Sequence, residues 1–230
     1  MTDGRFPWGL VTVDIDGTLT TTHGWQVIAD AFGRRPEFEE ANRRFHAHEV
    51  DEDVHLREFL ELAVGHTLPE VAAVLERTPK LSGIAEGVAD LHRRGARAAI
   101  LSHNPTYVVD WYRRRFGFDD AEGVDGQAVV DGRLAMPGTI RADKPAGLRR
   151  LLARHPVPVA QVVHVGDGAS DALVFRLVGG GVALNSSADD VDRAADLVVR
   201  SSDFREVVGA LGDLRPRRPL GSDRQQQPPV

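Results

Sequence analysis

The chain has 230 residues, 42% hydrophobic and 27% charged, with a formal net charge of −6 and no cysteine. That length suits one large domain, or a domain carrying a smaller insert, with enough apolar residues to bury a core. The missing cysteines exclude disulfides, thiolate metal sites and cysteine nucleophiles, and the mild acidity speaks against a general nucleic-acid binder.

Leu10-Val11-Thr12-Val13 reads as a first β-strand, and Gly17 with the threonines around it marks a loop at its C-terminal end. From about residue 24 to 78 the pattern is helical: Trp25, Ile28, Ala29 and Phe32, then Leu56, Phe59, Leu60, Ala63 and Val64, recur at helical spacing with no strand-like run between them. This predicts a helical insert over 21–79. Beyond Lys80, helix and strand alternate. Ile84, Val88 and Leu91 mark a helix, Ala98–Leu101 a buried strand, Val108 to Phe116 a helix, and Val129 to Leu134 a hairpin turning through Asp131-Gly132. Leu148, Leu151 and Leu152 mark another helix, Val162–Val165 and Val182–Leu184 two more strands, and Val198-Val199 a last one. Strands apolar on both faces and separated by helices predict an α/β fold with a parallel sheet covered on both sides. The predicted division is a core over 1–20 and 80–214, the insert, and a disordered Pro-, Gln- and Arg-rich tail over 215–230. No apolar run approaches the ~18–20 residues that cross a bilayer. The opening MTDGRFPWGL lacks the basic-then-apolar order of a secretory leader, so a soluble cytoplasmic protein with no membrane or nucleic-acid partner is expected. Nothing in the sequence sets the oligomeric state.

Ligands of open parallel sheets bind beyond the C-terminal strand ends. Those positions hold Asp14 and Asp16, then Ser102, then Asp167 and Asp171. Four carboxylates at one edge repel one another unless a cation offsets them, and a hard, oxygen-preferring ion such as Mg²⁺ suits that donor set. Of the 28 basic residues only Lys80 and Lys144 are lysine. Lys144 precedes Pro145 at the predicted start of a helix, where an ammonium and free backbone N–H groups together attract anions. Carboxylates with a metal, a lysine and a hydroxyl describe a phosphoryl site. A carboxylate at Asp14 has the chemistry to attack phosphorus, and Asp16 to serve as the acid and then the base.

Asp14-Ile15-Asp16-Gly17-Thr18-Leu19-Thr20, Ile100-Leu101-Ser102, Lys144 and Gly166-Asp167-Gly168-Ala169-Ser170-Asp171 occur in one order along the chain. Together they resemble the haloacid dehalogenase superfamily of phosphatases, and within it the phosphoserine phosphatase group. The resemblance runs from Leu10 to about Leu211. It implies a Rossmann-like core and a helical cap of the first type, which closes over the site. It also implies Asp14 as nucleophile, Asp16 as general acid/base, and Thr18, Ser102, His103 and Lys144 around the phosphoryl oxygens. Mg²⁺ would be held by Asp14, the Asp16 carbonyl and Asp167, with Asp171 close by. The implied activity is hydrolysis of a small phosphorylated metabolite through an aspartyl-phosphate. Phosphoserine hydrolysis proper, phosphotransfer to an alcohol, and phosphate binding without turnover stay open as alternatives.

The departures fall in the selective half. Relatives acting on phosphoserine place a cap Glu nine residues after the nucleophile, where His23 stands here. They use a cap Arg for the substrate carboxylate, where Phe59 stands here with Arg57 two residues before it. His103-Asn104 replaces a glycine pair, and Ser170 replaces the usual Asn. His23, Arg57, Phe59 and Ser170 are therefore the specificity candidates. His23 and His103 are expected to face the cleft, His46, His48 and His55 to lie exposed, and His164 to be a hydrogen-bonded core residue. Arg113-Arg114-Arg115 is expected to be a solvated helix face.

Overall fold

The computed structural model describes residues 6–217. Six parallel strands form one sheet in the order β3-β2-β1-β6-β7-β8. Their ranges are β1 (Leu10–Val13), β2 (Arg97–Pro105), β3 (Asp120–Val124), β6 (Val162–Gly166), β7 (Gly180–Leu184) and β8 (Leu197–Val199). Every residue of β1, β6 and β7 is buried, as strands covered on both faces require. Helices α5 (Ile84–Arg93), α6 (Thr106–Phe116), α7 (Lys144–Arg154), α8 (Ala169–Phe175), α9 (Asp189–Ala194) and α10 (Phe204–Leu211) connect and cover them. The predicted hairpin is present as β4 (Val129–Val130) and β5 (Arg133–Leu134), with Asp131 at φ +48° and Gly132 at φ +77° in the turn.

Between β1 and α5 lie α1 (Gly24–Ala31), α2 (Arg35–His46), α3 (Glu52–Glu61) and α4 (Leu68–Arg77). An antiparallel bridge between Thr20 and Lys80 brings the two ends of this segment together. Its apolar stripes meet in a cluster containing Trp25, Ile28, Phe38, Leu56, Phe59 and Leu60, continuous with the core under the sheet. Lys80 closes α4, donating to the carbonyls of Leu75, Glu76 and Thr78, and its ammonium lies 5.4 Å from the Trp111 ring centre.

Two features differ from expectation. Strand β2 runs on to Pro105, because Pro105 still pairs with Val124 across an irregularity after Leu101. Strand β3, Asp-Ala-Glu-Gly-Val, carries almost no β-forming signal and owes its conformation to pairing with β2. No helix among the described residues is long and apolar enough to cross a membrane. Of the expected tail, 218–230 lie outside the described residues, whereas Arg217 pairs with Asp196 at 2.7 Å.

Candidate active site

Val13, the last residue of β1, is in register with Ile100 of β2 and Val165 of β6. The residues just beyond therefore converge. Asp14 extends β1 by one step, its N–H donating to the Val165 carbonyl at 3.0 Å. Ser102 and Asp167 arrive from the neighbouring strands, and Lys144 from the first turn of α7. That helix starts where it does because Asp143 caps it, accepting from the Ala146 N–H at 2.7 Å, and Pro145 fits its first turn.

Lys144 is 3% exposed. Its Nζ lies 3.2 Å from Asp14 Oδ2 and 2.5 Å from Asp171 Oδ1. Asp171 also accepts from His164 Nε2 at 2.8 Å and from the N–H groups of Asp167 and Gly168 at 3.2 and 3.0 Å. His164 is fully buried, its Nδ1 2.9 Å from Thr12 Oγ1. Burial works against the charge on Asp171, but Lys144 and His164 outweigh it and hold the carboxyl far below its usual range. The same two aspartates hold the Lys144 ammonium charged in spite of its burial.

Asp14 and Asp167 are in the opposite condition. Burial pushes Asp14 up, Asp171 and Asp16 add to it, and Lys144 and the Ser102 hydroxyl pull the other way. Burial, then the Asp14 charge, raises Asp167 to about 7. One oxygen each from Asp14, Asp167 and Asp171 lie within 4.8 Å of one another, and Asp14 Oδ1 is buried with no hydrogen-bond partner. A crowd of carboxylates short of positive charge, with one oxygen orphaned, fits a divalent cation. Asp14 and Asp167 have oxygens to offer it. Both Asp171 oxygens are already taken by four donors, so Asp171 anchors Lys144 and the loop after β6.

Thr18, expected among the phosphate-binding residues, spends its hydroxyl on Asp167 Oδ1 at 2.8 Å and so aims a carboxylate. Asp16 lies apart from the carboxylate trio, fixed by the Gly24 N–H at 2.6 Å and by Asn104 Nδ2 at 2.9 Å. Asn104 Nδ2 also lies 3.1 Å from Ser102 Oγ, tying the two strand ends together. In the sequence Asn104 is visible only as a polar residue where relatives carry glycine, and nothing there marks it as the partner of Asp16.

Asp16 and Ser102 open into a cavity of about 310 Å³ under α1 and α3. His23, Phe59, His103 and Ser170 line it, as do His55 and Glu52, the latter singled out by no sequence signal. His55 is not solvent-exposed as expected. It stacks flat on Phe45, with ring centres 4.3 Å apart, and leans on Phe59 at 4.2 Å. Arg57 points elsewhere, pairing with Glu61 at 3.2 Å with 48% of its side chain exposed. His46, His48, Arg114 and Arg115 are exposed. A larger hollow of about 650 Å³ between α4 and α6, walled by Leu75 and Trp111 among others, holds none of the converging carboxylates.

Comparisons with known proteins bear on the family and the fold. A family model for haloacid dehalogenase-like hydrolases matches residues 11–176. A phosphoserine phosphatase of Streptomyces coelicolor is 32% identical over 213 residues, 90% of this chain and 51% of that protein. One from Vibrio cholerae is 29% identical over 88% of this chain and 62% of its own length. The chain thus spans about half to three fifths of these curated relatives. Among solved structures, a hydrolase of Salmonella enterica serovar Typhi superposes with a TM-score of 0.78 at 19% identity, covering 87% of this chain and 70% of the other. A substrate-bound phosphoserine phosphatase does so with a TM-score of 0.74 at 22% identity, covering 88% and 98%. At these identities the structural likeness is one of fold.

Proposed function

The chain belongs to the haloacid dehalogenase-like hydrolase family, and on that premise we propose that it is a Mg²⁺-dependent phosphomonoesterase acting through an aspartyl-phosphate at Asp14. The observation that carries the reading is the pairing at Asp14: one oxygen held 3.2 Å from a buried ammonium, the other buried and unpartnered. A carboxylate so placed is fixed in direction, with one oxygen for the cation and one for the attack on phosphorus.

In the first step an Asp14 oxygen bonds to phosphorus while the bond from phosphorus to the ester oxygen breaks. The electron pair leaves with that oxygen, which takes the Asp16 proton and departs as an alcohol. In the second, Asp16 removes a proton from water, the water oxygen attacks phosphorus, and Asp14 is released as a carboxylate with inorganic phosphate. The Gly24 N–H and Asn104 hold Asp16 in place for both transfers. Lys144 and Ser102 meet the phosphoryl oxygens. Asp14, Asp167 and the Asp16 carbonyl would hold Mg²⁺, which when bound supplies positive charge to a phosphoryl group that is otherwise repelled. The helical segment 21–79 serves as the cap that keeps bulk water out.

Phosphate release measured with Mg²⁺ and with excess chelator tests the reading. Activity is expected only with the metal, and Asp14→Asn should lower it by at least about 10³-fold. Equal rates with and without chelator, or an active Asp14→Asn, would overturn it. The names of the relatives make phosphoserine the second reading of the substrate.

A further inference from the structure

The cavity next to Asp16 is unlike one built for an amino acid. Among the described residues, no Arg or Lys lines it. The cationic side chains nearest in sequence are committed elsewhere: Arg44 to Glu58, and Arg57 to Glu61. Lys144 is held between Asp14 and Asp171. A substrate carboxylate would meet no guanidinium or ammonium there, and a desolvated charge without such a partner is unfavourable. The one carboxylate in the upper wall, Glu52, is already bonded to His103 Nδ1 at 2.9 Å.

What the cavity does offer is ring surface and two unused imidazole nitrogens. Phe45 and His55 lie parallel, with an interplanar angle of 3°, and Phe59 packs against His55 and Trp25. His55 Nε2 and His103 Nε2 are both buried without a hydrogen-bond partner, and both residues line the cavity. Buried polar atoms are normally paired, so two orphans in one wall mark where a ligand's polar group belongs. Aromatic walls favour a flat ring, which stacks on them or meets them edge-on.

We propose that the alcohol released here is uncharged and carries an aromatic ring with a hydrogen-bonding substituent, so that the substrate is an aryl-bearing alkyl phosphomonoester and not a phosphorylated amino acid. This rests on the phosphomonoesterase reading of Asp14. His55 and His103 bond the substituent, while Phe45 and Phe59 contact the ring.

The test measures phosphate release by the full-length protein from five probes. Acetyl phosphate, whose small leaving group makes no demand on the cavity, reports the chemistry at Asp14 alone. The other four release primary alcohols: 2-phenylethyl phosphate, 2-(4-hydroxyphenyl)ethyl phosphate, O-phospho-L-serine and ribose 5-phosphate. The hydroxyaryl ester is expected to exceed phosphoserine and ribose phosphate in kcat/KM by at least about tenfold. In His55→Phe, the hydroxyaryl-to-phenyl ratio of kcat/KM should fall by about tenfold, from loss of a hydrogen bond and not of ring surface. Phosphoserine or ribose phosphate equal to or better than the aryl esters would overturn this inference and leave the Asp14 reading standing. An unchanged ratio in His55→Phe would overturn the assignment of His55. No Asp14-dependent hydrolysis of acetyl phosphate would bring down both readings.

Discussion

Lys144 is the residue on which most of the site's electrostatics turn. It is buried, and Asp14 and Asp171 offset the loss of hydration that burial imposes. Removing one partner leaves a charge uncompensated, so Asp171→Asn is expected to cost about 3–5 kcal/mol in denaturant unfolding. A loss below about 1 kcal/mol, the level typical of an exposed pair, would show that the network does not hold the fold. His55 yields a second residue-scale prediction. Burial, with His23 and His46 adding to it, lowers its pKa from 6.5 to about 4. The fold therefore favours the neutral imidazole: its contribution is complete above the unfolded value and is lost as pH falls from 6.5 through 4. Denaturant midpoints measured across that range should fall more steeply for the wild type than for His55→Phe. Parallel profiles would assign the pH dependence to other groups.

At the scale of elements, two local devices place the chemistry. The loop after β1 turns at Gly17, whose φ of +76° suits glycine, and a Cβ there would sit 2.1 Å from Asp167 Oδ2. Gly17→Ala should push Asp167 aside, lowering activity well beyond its stability cost of about 1–3 kcal/mol. Wild-type kcat/KM in that variant would show that Asp167 has room to move. In the helical segment, α4 begins with Thr67 accepting from the Glu70 N–H at 3.3 Å, while Glu70 accepts from the Thr67 N–H at 2.7 Å. Thr67→Ala should cost about 1 kcal/mol in thermal or denaturant unfolding with no change in kcat, since the cap lies away from the carboxylates.

At the scale of the whole molecule, the converging strand ends would couple binding of the proposed ion to the fold. Mg²⁺ at 100 times its dissociation constant should stabilise the native state by about 2.7 kcal/mol. For a chain of this size that is roughly 5–10 °C in Tm. Asp167→Asn should abolish the shift, and a wild-type Tm indifferent to Mg²⁺ would show that the carboxylates hold no such ion. The motif at residues 14–20, Ser102, Lys144 and the run from 166 to 171 were legible in the sequence because strand ends and helix starts present consecutive residues to one edge. Local spacing there is already spatial arrangement. The same holds for the hairpin at Asp131-Gly132, whose turn is dictated by two adjacent residues. Other features had no local signature. The strand Asp120–Val124 exists because β2 offers it hydrogen bonds. Thr18 turns to Asp167 and Asn104 reaches Asp16, each through a contact between distant parts of the chain, while His55 is half-buried between Phe59 one turn on and Phe45 of the preceding helix. The motif residues at the strand ends and helix starts were thus set by the order of residues alone. Which side chains wall the cavity was decided by how α1 and α3 pack over the strand ends, because burial and hydrogen-bond partnership depend on neighbours that the linear order does not bring together.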